Sequence, residues 1–295
     1  QPTSSGKPES ALFGCVRNDG KRFHEAVDIA PVKPRQRGEA TDPVVAVHDG
    51  VIAHVNRIAG HSSSGRYVVI EHPGLTLPAY TLYAHLARVE PGLSSGDPVK
   101  AGQHLGIMGR SAGGYSIPKS RSHLHFEVGL RLNNAFQRWY DLQGYSSDNH
   151  HGNFNGMNLV SWNPLDYYAA FDEGLVETVI GYFNTIPPAA LLHVRKAAVP
   201  DFLRRYPQLL LEGCGDEERA GWEIMLSAWG LPLSFRALEA SELRGVSKTG
   251  EISVLAVDRN LLQEFHCRRI ISFDKDQVSL GSGGRQILEL LFTAD

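Results

Sequence analysis

Ser122-His123-Leu124-His125-Phe126-Glu127-Val128 alternates apolar and polar side chains. Leu124, Phe126 and Val128 fall on one side, His123, His125 and Glu127 on the other, which is the period of a β-strand. Residues two apart on a strand point the same way, with Cα atoms about 7 Å apart. His123 and His125 can therefore look into one site with a carboxylate beside them. Two such histidines are commonly no more than polar surface, so a site requires partners from elsewhere in the chain.

Working back from this strand, the chain is a succession of short apolar runs between turn residues. A Gly- and Ser-rich loop, Arg110 to Arg121, precedes it, and Gly102 to Gly109 forms a short strand between glycines. Thr81 to Leu86 and Arg66 to His72 are further strands, the first carrying His85 on its more polar face. Val44–His48 and Val51–Val55 flank Asp49-Gly50, which predicts a hairpin with His48 and His54 facing outward. Phe23 to Pro31 favours strand and loop over helix. In one straight strand His24 and Asp28 would stand about 13 Å apart, too far for a shared metal ion, so their cooperation needs a bend. Short strands with turns every 8–12 residues over 13–130 point to an all-β sandwich or barrel.

After the strand, residues 131–160 read as a long loop or insertion with an aromatic patch (Phe136, Trp139, Tyr140, Tyr145) and a polar His150-His151. The chain then changes character. A helix is expected from Asp172 to about Phe183, a linker at Pro187-Pro188, and a helix from Asp216 to Trp229 ended by Gly230. Strands are expected at Ser234–Ala240, Ile252–Val257 and Ile270–Phe273, and helix or strand at Gln286–Phe292. The domain plan is a lead-in at 1–12, a β-domain at 13–170 and a small α+β domain at 171–295, in which His193 and His266 are structural.

Composition bounds the function. The chain has 295 residues, 42% hydrophobic and 21% charged, with a net charge of −3, so nothing argues for nucleic acid. No apolar run approaches the ~20 residues of a membrane span. Of three cysteines, Cys214 and Cys267 could pair. The chain does not open on Met, which reads as a processed or cloned form from which any signal peptide has gone.

His24, Asp28, His85, His123 and His125 are the residues worth combining. Three N or O ligands plus one open position suit a catalytic zinc, and two further histidines could move protons and stabilise an oxyanion. Gly20-Lys21-Arg22-Phe23-His24-Glu25-Ala26-Val27-Asp28-Ile29, Leu82-Tyr83-Ala84-His85-Leu86 and His123-Leu124-His125-Phe126-Glu127-Val128 resemble, in order, the three signature segments of the lysostaphin/LytM-type zinc peptidases. Tyr67–His72 and Val99–Gly109 are similar to that family's strands as well. The resemblance covers roughly 13–130.

It implies an antiparallel β-sandwich with an active-site groove over one sheet, and one Zn²⁺ held by His24, Asp28 and His125. It places His123 (general base) and His85 (oxyanion stabiliser) beside the open position, with the peptide part of bacterial peptidoglycan, stem or bridge, as substrate. A bacterial, periplasmic or secreted location follows, and the C-terminal domain could engage a protein partner. Ala26, where the family usually has Gly, and a long 110–122 loop depart from the pattern without touching the ligands. A non-catalytic wall-binding or hydrolase-activating relative is the alternative; its hallmark is missing ligands, and here all five positions are filled. The 131–160 insertion or the C-terminal domain is expected to cover part of the cleft.

Overall fold

The computed structural model describes residues 1–275 and 277–293. The chain divides into two compact units, one of residues 1–17, 24–131 and 147–169, the other of 18–23, 132–146 and 170–295.

The strands running into and through the first unit are β1 (Gly14–Arg17), β2 (Arg22–His24), β3 (Val27–Ile29), β4 (Pro43–Val45), β5 (Gly50–Asn56), β6 (Tyr67–His72), β7 (Ala79–Ala84), β8 (Arg88–Val89), β9 (Pro98–Val99), β10 (His104–Ile107), β11 (Leu124–Arg131) and β12 (Leu159–Trp162). A seven-stranded sheet runs β12-β11-β7-β6-β5-β9, with β3 also on β11, and a three-stranded sheet runs β4-β10-β8. Every pairing in both is antiparallel. This is the mainly β, antiparallel architecture expected for this part of the chain.

Two sequence expectations fail here. Val44–His48 and Val51–Val55 do not pair across Asp49-Gly50: β4 pairs with β10, and β5 with β6 and β9. Gly50 opens β5 against Val99, while the Asp49 carboxylate accepts from Ala101 N–H and Lys100, so the dipeptide turns the chain from one sheet to the other. His54 does not face outward either. It lies opposite Val69 on β6 and packs 5.4 Å from Tyr67, ring to ring.

The second unit contains α1 (Phe136–Leu142), α3 (Val179–Phe183), β13 (Ala190–Val194), α4 (Asp201–Arg205), β14 (Leu210–Leu211), β15 (Gly221–Leu226), β16 (Pro232–Leu238), β17 (Ile252–Val257), α5 (Arg259–Glu264), β18 (Ile271–Asp274), β19 (Gln277–Leu280) and α6 (Ser282–Phe292); α2 (Pro164–Asp172) spans the boundary in sequence. Its main sheet runs β14-β16-β15-β13-β17. The helix expected over Asp216–Trp229 is not formed. Trp222, Ile224 and Leu226 are buried on β15 at a two-residue period, and Glu223 between them pairs with Arg236 and His193 on the flanking strands. Acidic start and Gly end signalled a helix, but sheet packing overrode them. The helix expected over 172–183 is interrupted: α2 ends at Asp172 and α3 starts at Val179. Residues 131–160 are not all loop, since α1 lies among them and its Trp139 donates to Glu289 of α6 at 3.4 Å. The Cys214–Cys267 bridge is not formed: Cys214 is free, and Cys15 and Cys267 are disulfide-bonded.

Candidate metal centre

The bend that His24 and Asp28 require is present. The chain leaves β2 at His24, passes Glu25-Ala26 and re-enters as β3, so that Asp28 pairs with His125 across the β3–β11 ladder. His24 Nε2 lies 3.2 Å from Asp28 Oδ1, His125 Nδ1 lies 3.3 Å from the same oxygen, and the two nitrogens are 3.3 Å apart. Among the described residues this trio is the one His/Cys/Asp/Glu group able to hold a metal ion.

Three observations test that fit. With metal–donor bonds of about 2.0–2.1 Å, a tetrahedral centre needs donors roughly 3.3–3.4 Å apart, which these three nearly match. Asp28 Oδ1 is buried without a hydrogen-bond partner, an orphaned acceptor of the kind a cation satisfies. Each imidazole is also turned by its other nitrogen: His24 Nδ1 donates to Leu12 O at 2.8 Å, and His125 Nε2 donates to Glu127 Oε1 at 2.8 Å. The lone pairs of His24 Nε2 and His125 Nδ1 are thereby directed at one point. The residues present fit a divalent metal.

Glu127 is held in turn by the Tyr80 hydroxyl, which donates to Oε2 at 2.9 Å. The sequence reading placed this carboxylate beside the histidines on one strand face without naming it as the orienting partner. Glu127→Gln is expected to weaken metal binding about 10–100-fold while leaving the fold intact, as measured by chelator competition.

Arg17 is the site residue that the sequence reading missed. Its Nη2 donates to His24 Nε2 at 2.8 Å and to Asp28 Oδ2 at 2.5 Å. Arg17, at the end of β1, lies only seven residues before His24, but no motif marks it, because an arginine ahead of the first segment carries no signal of where its guanidinium ends. A guanidinium there uses the same lone pair of His24 that a metal needs. Arg17→Ala is therefore expected to tighten metal binding several-fold in the same competition; unchanged or weaker binding would refute this competition.

His123 and His85 stand beside the trio. His123 lies just before β11, its backbone bridging to Gly109, and its Nε2 is 3.5 Å from Asp28 Oδ2. Any side chain at 109 would strike the Ala87 backbone, at 2.3 Å, so only glycine allows this approach. The rings of His85 and His123 are 4.7 Å apart. His85 is not a regular strand residue as the alternation suggested: β7 ends at Ala84, and His85 takes φ +60°, left-handed backbone that costs a non-glycine residue about 1–2 kcal/mol. The turn is held by His85 N–H to Ser64 O at 3.0 Å and Ser111 N–H to His85 O at 3.3 Å. His85 Nδ1 donates to Ser111 O, and His123 Nδ1 to Arg121 O, each at 2.8 Å. Carbonyls only accept, so in both neutral rings the proton sits on Nδ1 and Nε2 is a free base.

The titration behaviour separates these histidines. Burial pushes His85 down to about 3, helped by the neighbouring His125 and His123. His123 and His24 are lowered too, chiefly by burial. For His125 burial also lowers, but the Asp28 carboxylate 3.3 Å away and the hydrogen-bonded Glu127 overcome it and push the ring up to about 10. Burial raises Asp28, but the rings of His125 and His24, 3.3 and 3.2 Å from its Oδ1, outweigh it and hold the carboxyl far below the usual carboxylate range. Because the folded-state value of His125 lies above the unfolded 6.5, its contribution to stability is complete below pH 6.5 and vanishes as pH rises through about 10. The chelated protein is expected to lose melting temperature steadily between pH 6.5 and 10, and His125→Ala is expected to flatten that slope.

The rest of this sheet face is covered. Opposed residues share a face in antiparallel pairs, so the face of His125 and Glu127 continues through Ala84 and Leu82 to Val69 and His54. Tyr67, Val69, Tyr80, Leu82 and Ala84 there are all buried, with Phe154 packed on them. Tyr67 donates to His151 Nδ1 at 2.6 Å, His151 Nε2 donates to His61 O at 3.0 Å, and His150 stacks on His61 at 4.0 Å. His150 and His151, read as plain polar loop, thus fasten the 147–158 segment over the sheet.

Residues 22–137 match the family model of peptidase family M23. That stretch is similar to peptidase family M23. The matched stretch holds all five candidate site residues. Similar solved structures include a zinc-containing peptidase from Vibrio cholerae, 32% identical over 36% of this chain and 26% of that one, with a TM-score of 0.27. A LytM protein from Ruminococcus gnavus is 29% identical over 50% of this chain and 47% of that one, at a TM-score of 0.33. The catalytic domain of the prophage-encoded M23 protein EnpA from Enterococcus faecalis is 25% identical, over 43% of this chain and 84% of that one, at 0.31. The chain thus spans about a quarter and about half of the first two. No curated protein matches it.

Proposed function

We propose that the protein is a zinc-dependent endopeptidase that hydrolyses peptide cross-links of bacterial peptidoglycan. The observation that carries this reading is the triangle of His24 Nε2, Asp28 Oδ1 and His125 Nδ1, with edges of 3.2–3.3 Å, flanked by the unprotonated Nε2 atoms of His123 and His85. Bound there, zinc supplies Lewis acidity: it polarises a carbonyl and makes water acidic enough to yield a nucleophile near neutral pH.

His123 acts as the general base. Its Nε2 takes the proton of the attacking water while the water oxygen bonds to the scissile carbonyl carbon. The Asp28 carboxylate 3.5 Å away favours the imidazolium that forms. Burial disfavours that cation, so the proton moves on to the amide nitrogen as the C–N bond breaks; the carboxylic acid left behind gives its remaining proton to the amine, so the products leave as carboxylate and ammonium. The oxyanion role expected of His85 would need a proton on Nε2, which the Ser111 hydrogen bond and the low pKa of the ring both oppose. In our reading His85 instead accepts from the attacking water and aims it.

The covered sheet beyond Ala84 supports a cleft walled on one side by residues 147–158. The disulfide-bonded Cys15 and Cys267 support a periplasmic or secreted location, where such bonds persist. No helix among the described residues is long and apolar enough to cross a membrane.

The test is digestion of sacculi with different cross-link types, with and without chelator, the products being identified by mass. Chelator-sensitive release of muropeptides is expected. Absence of release from every sacculus type would refute the activity, and chelator-resistant release the metal.

A further inference from the structure

On the opposite side of the strands that carry the metal ligands lies an apolar cavity of about 340 Å³. Its floor includes Val27 and Ile29, which flank Asp28, and Leu124 and Phe126, which flank His125. Strand alternation sends these four to the reverse face of the β3–β11 ladder. Val45, 41% exposed, and Leu165, 49% exposed, stand on its rim. The volume falls within the roughly 300–1,000 Å³ of small-molecule pockets.

One polar side chain lines this cavity in a way that the fold does not explain. Asp42 is 5% exposed. Its Oδ1 accepts from the backbone N–H groups of Val32 at 2.7 Å and Lys33 at 2.9 Å. Its Oδ2 is buried and has no hydrogen-bond partner among the described residues. Burying a carboxylate oxygen unpaired is costly; the valines, Leu124 and Phe126 around it have no donor, and the Tyr83 hydroxyl is engaged with Val47 N–H and Thr81. The caps on Val32 and Lys33 need only Oδ1, so they account for one oxygen and leave the other.

We propose that the cavity is a binding site for an aliphatic ammonium ion, its alkyl chain among Val27, Leu124, Phe126 and Val45 and its N–H groups on Asp42 Oδ2. An apolar tunnel with one buried anionic acceptor selects for that chemistry: a chain without a donor leaves Oδ2 unpaired, and an anionic head places two like charges together. The site is separate from the metal centre and does not depend on the peptidase reading.

The probe is n-heptylammonium chloride, titrated into the full metal-loaded chain at constant ionic strength. The methyl resonances of Val27, Ile29, Val45 and Leu124 report binding, with 1-heptanol and sodium heptanoate as comparisons. Saturable shifts are expected, with heptylammonium at least tenfold tighter than either comparison. Asp42→Asn, which keeps an oxygen for the two backbone caps, is expected to erase that preference. Val45→Trp fills the cavity from its exposed rim without touching Asp42 and is expected to abolish binding by all three. Equal binding of heptanoate or heptanol, no saturable shift, or an undiminished preference in Asp42→Asn would overturn the proposal. So would sedimentation showing that the face is covered by a second copy, with Val45→Trp dispersing the dimer.

Discussion

His125→Ala is expected to leave a chain that neither retains metal through gel filtration nor hydrolyses peptide above background. The ring supplies one of three donors at the corners of a triangle with 3.2–3.3 Å edges, and neither neighbour can replace it. His123 and His85 keep their Nδ1 protons on backbone carbonyls, which turns them as bases toward the site rather than into the trio. Affinity should therefore fall by more than the ~10–100-fold that loss of an outer partner such as Glu127 causes. Truncation also strips Glu127 of its hydrogen bond to the ring, leaving it the Tyr80 hydroxyl, at a cost of about 1–3 kcal/mol in stability. Metal content by atomic spectroscopy, read beside a melting curve, separates the two effects. A folded variant with full metal occupancy would remove His125 from the ligand set.

His123→Ala is expected to do the reverse: metal content stays near that of the native chain while kcat falls about 10²–10⁴-fold, the range for a positioned general base. Its Nε2 points at Asp28 Oδ2 from 3.5 Å and is not one of the three converging donors. The ring takes a proton only in the reaction, so KM should change little beside kcat. Turnover within a few-fold of native, on a substrate whose cleavage is chelator-sensitive, would assign the base elsewhere, with His85 the next candidate. Its ring lies 4.7 Å from that of His123, with the same Nε2 free.

Much of the site was legible because its residues sit in short local patterns. The alternation in His123-Leu124-His125-Phe126-Glu127 is a property of one strand, and it put two imidazoles and a carboxylate on one face. Elsewhere local signals misled. Asp49-Gly50 between apolar runs predicted a hairpin, but β4 and β5 belong to different sheets. Asp216 to Trp229 carried helix-like ends, yet Trp222, Ile224 and Leu226 fill a sheet core. In both cases the deciding partners, β10 for the first and β13 and β16 for the second, are distant in sequence, and propensity yields to long-range burial.

The sequence by itself singled out the candidate side chains, His24, Asp28, His85, His123 and His125, each inside a short segment whose residue types suit a metal and two bases. The tertiary structure alone decided how they are used. The break at Glu25-Ala26 shortens a strand spacing of about 13 Å to a 3.2 Å contact between His24 and Asp28. Backbone carbonyls of Leu12, Ser111 and Arg121 decide which nitrogen of His24, His85 and His123 is free, and Glu127 decides it for His125. Arg17 reaches the site from β1, the strand before that of His24, and the 147–158 cover from a segment remote in sequence. The reason is physical. A residue's type and its strand face are local properties of the chain, whereas a hydrogen-bond partner or an approach distance depends on which distant backbone the fold brings alongside.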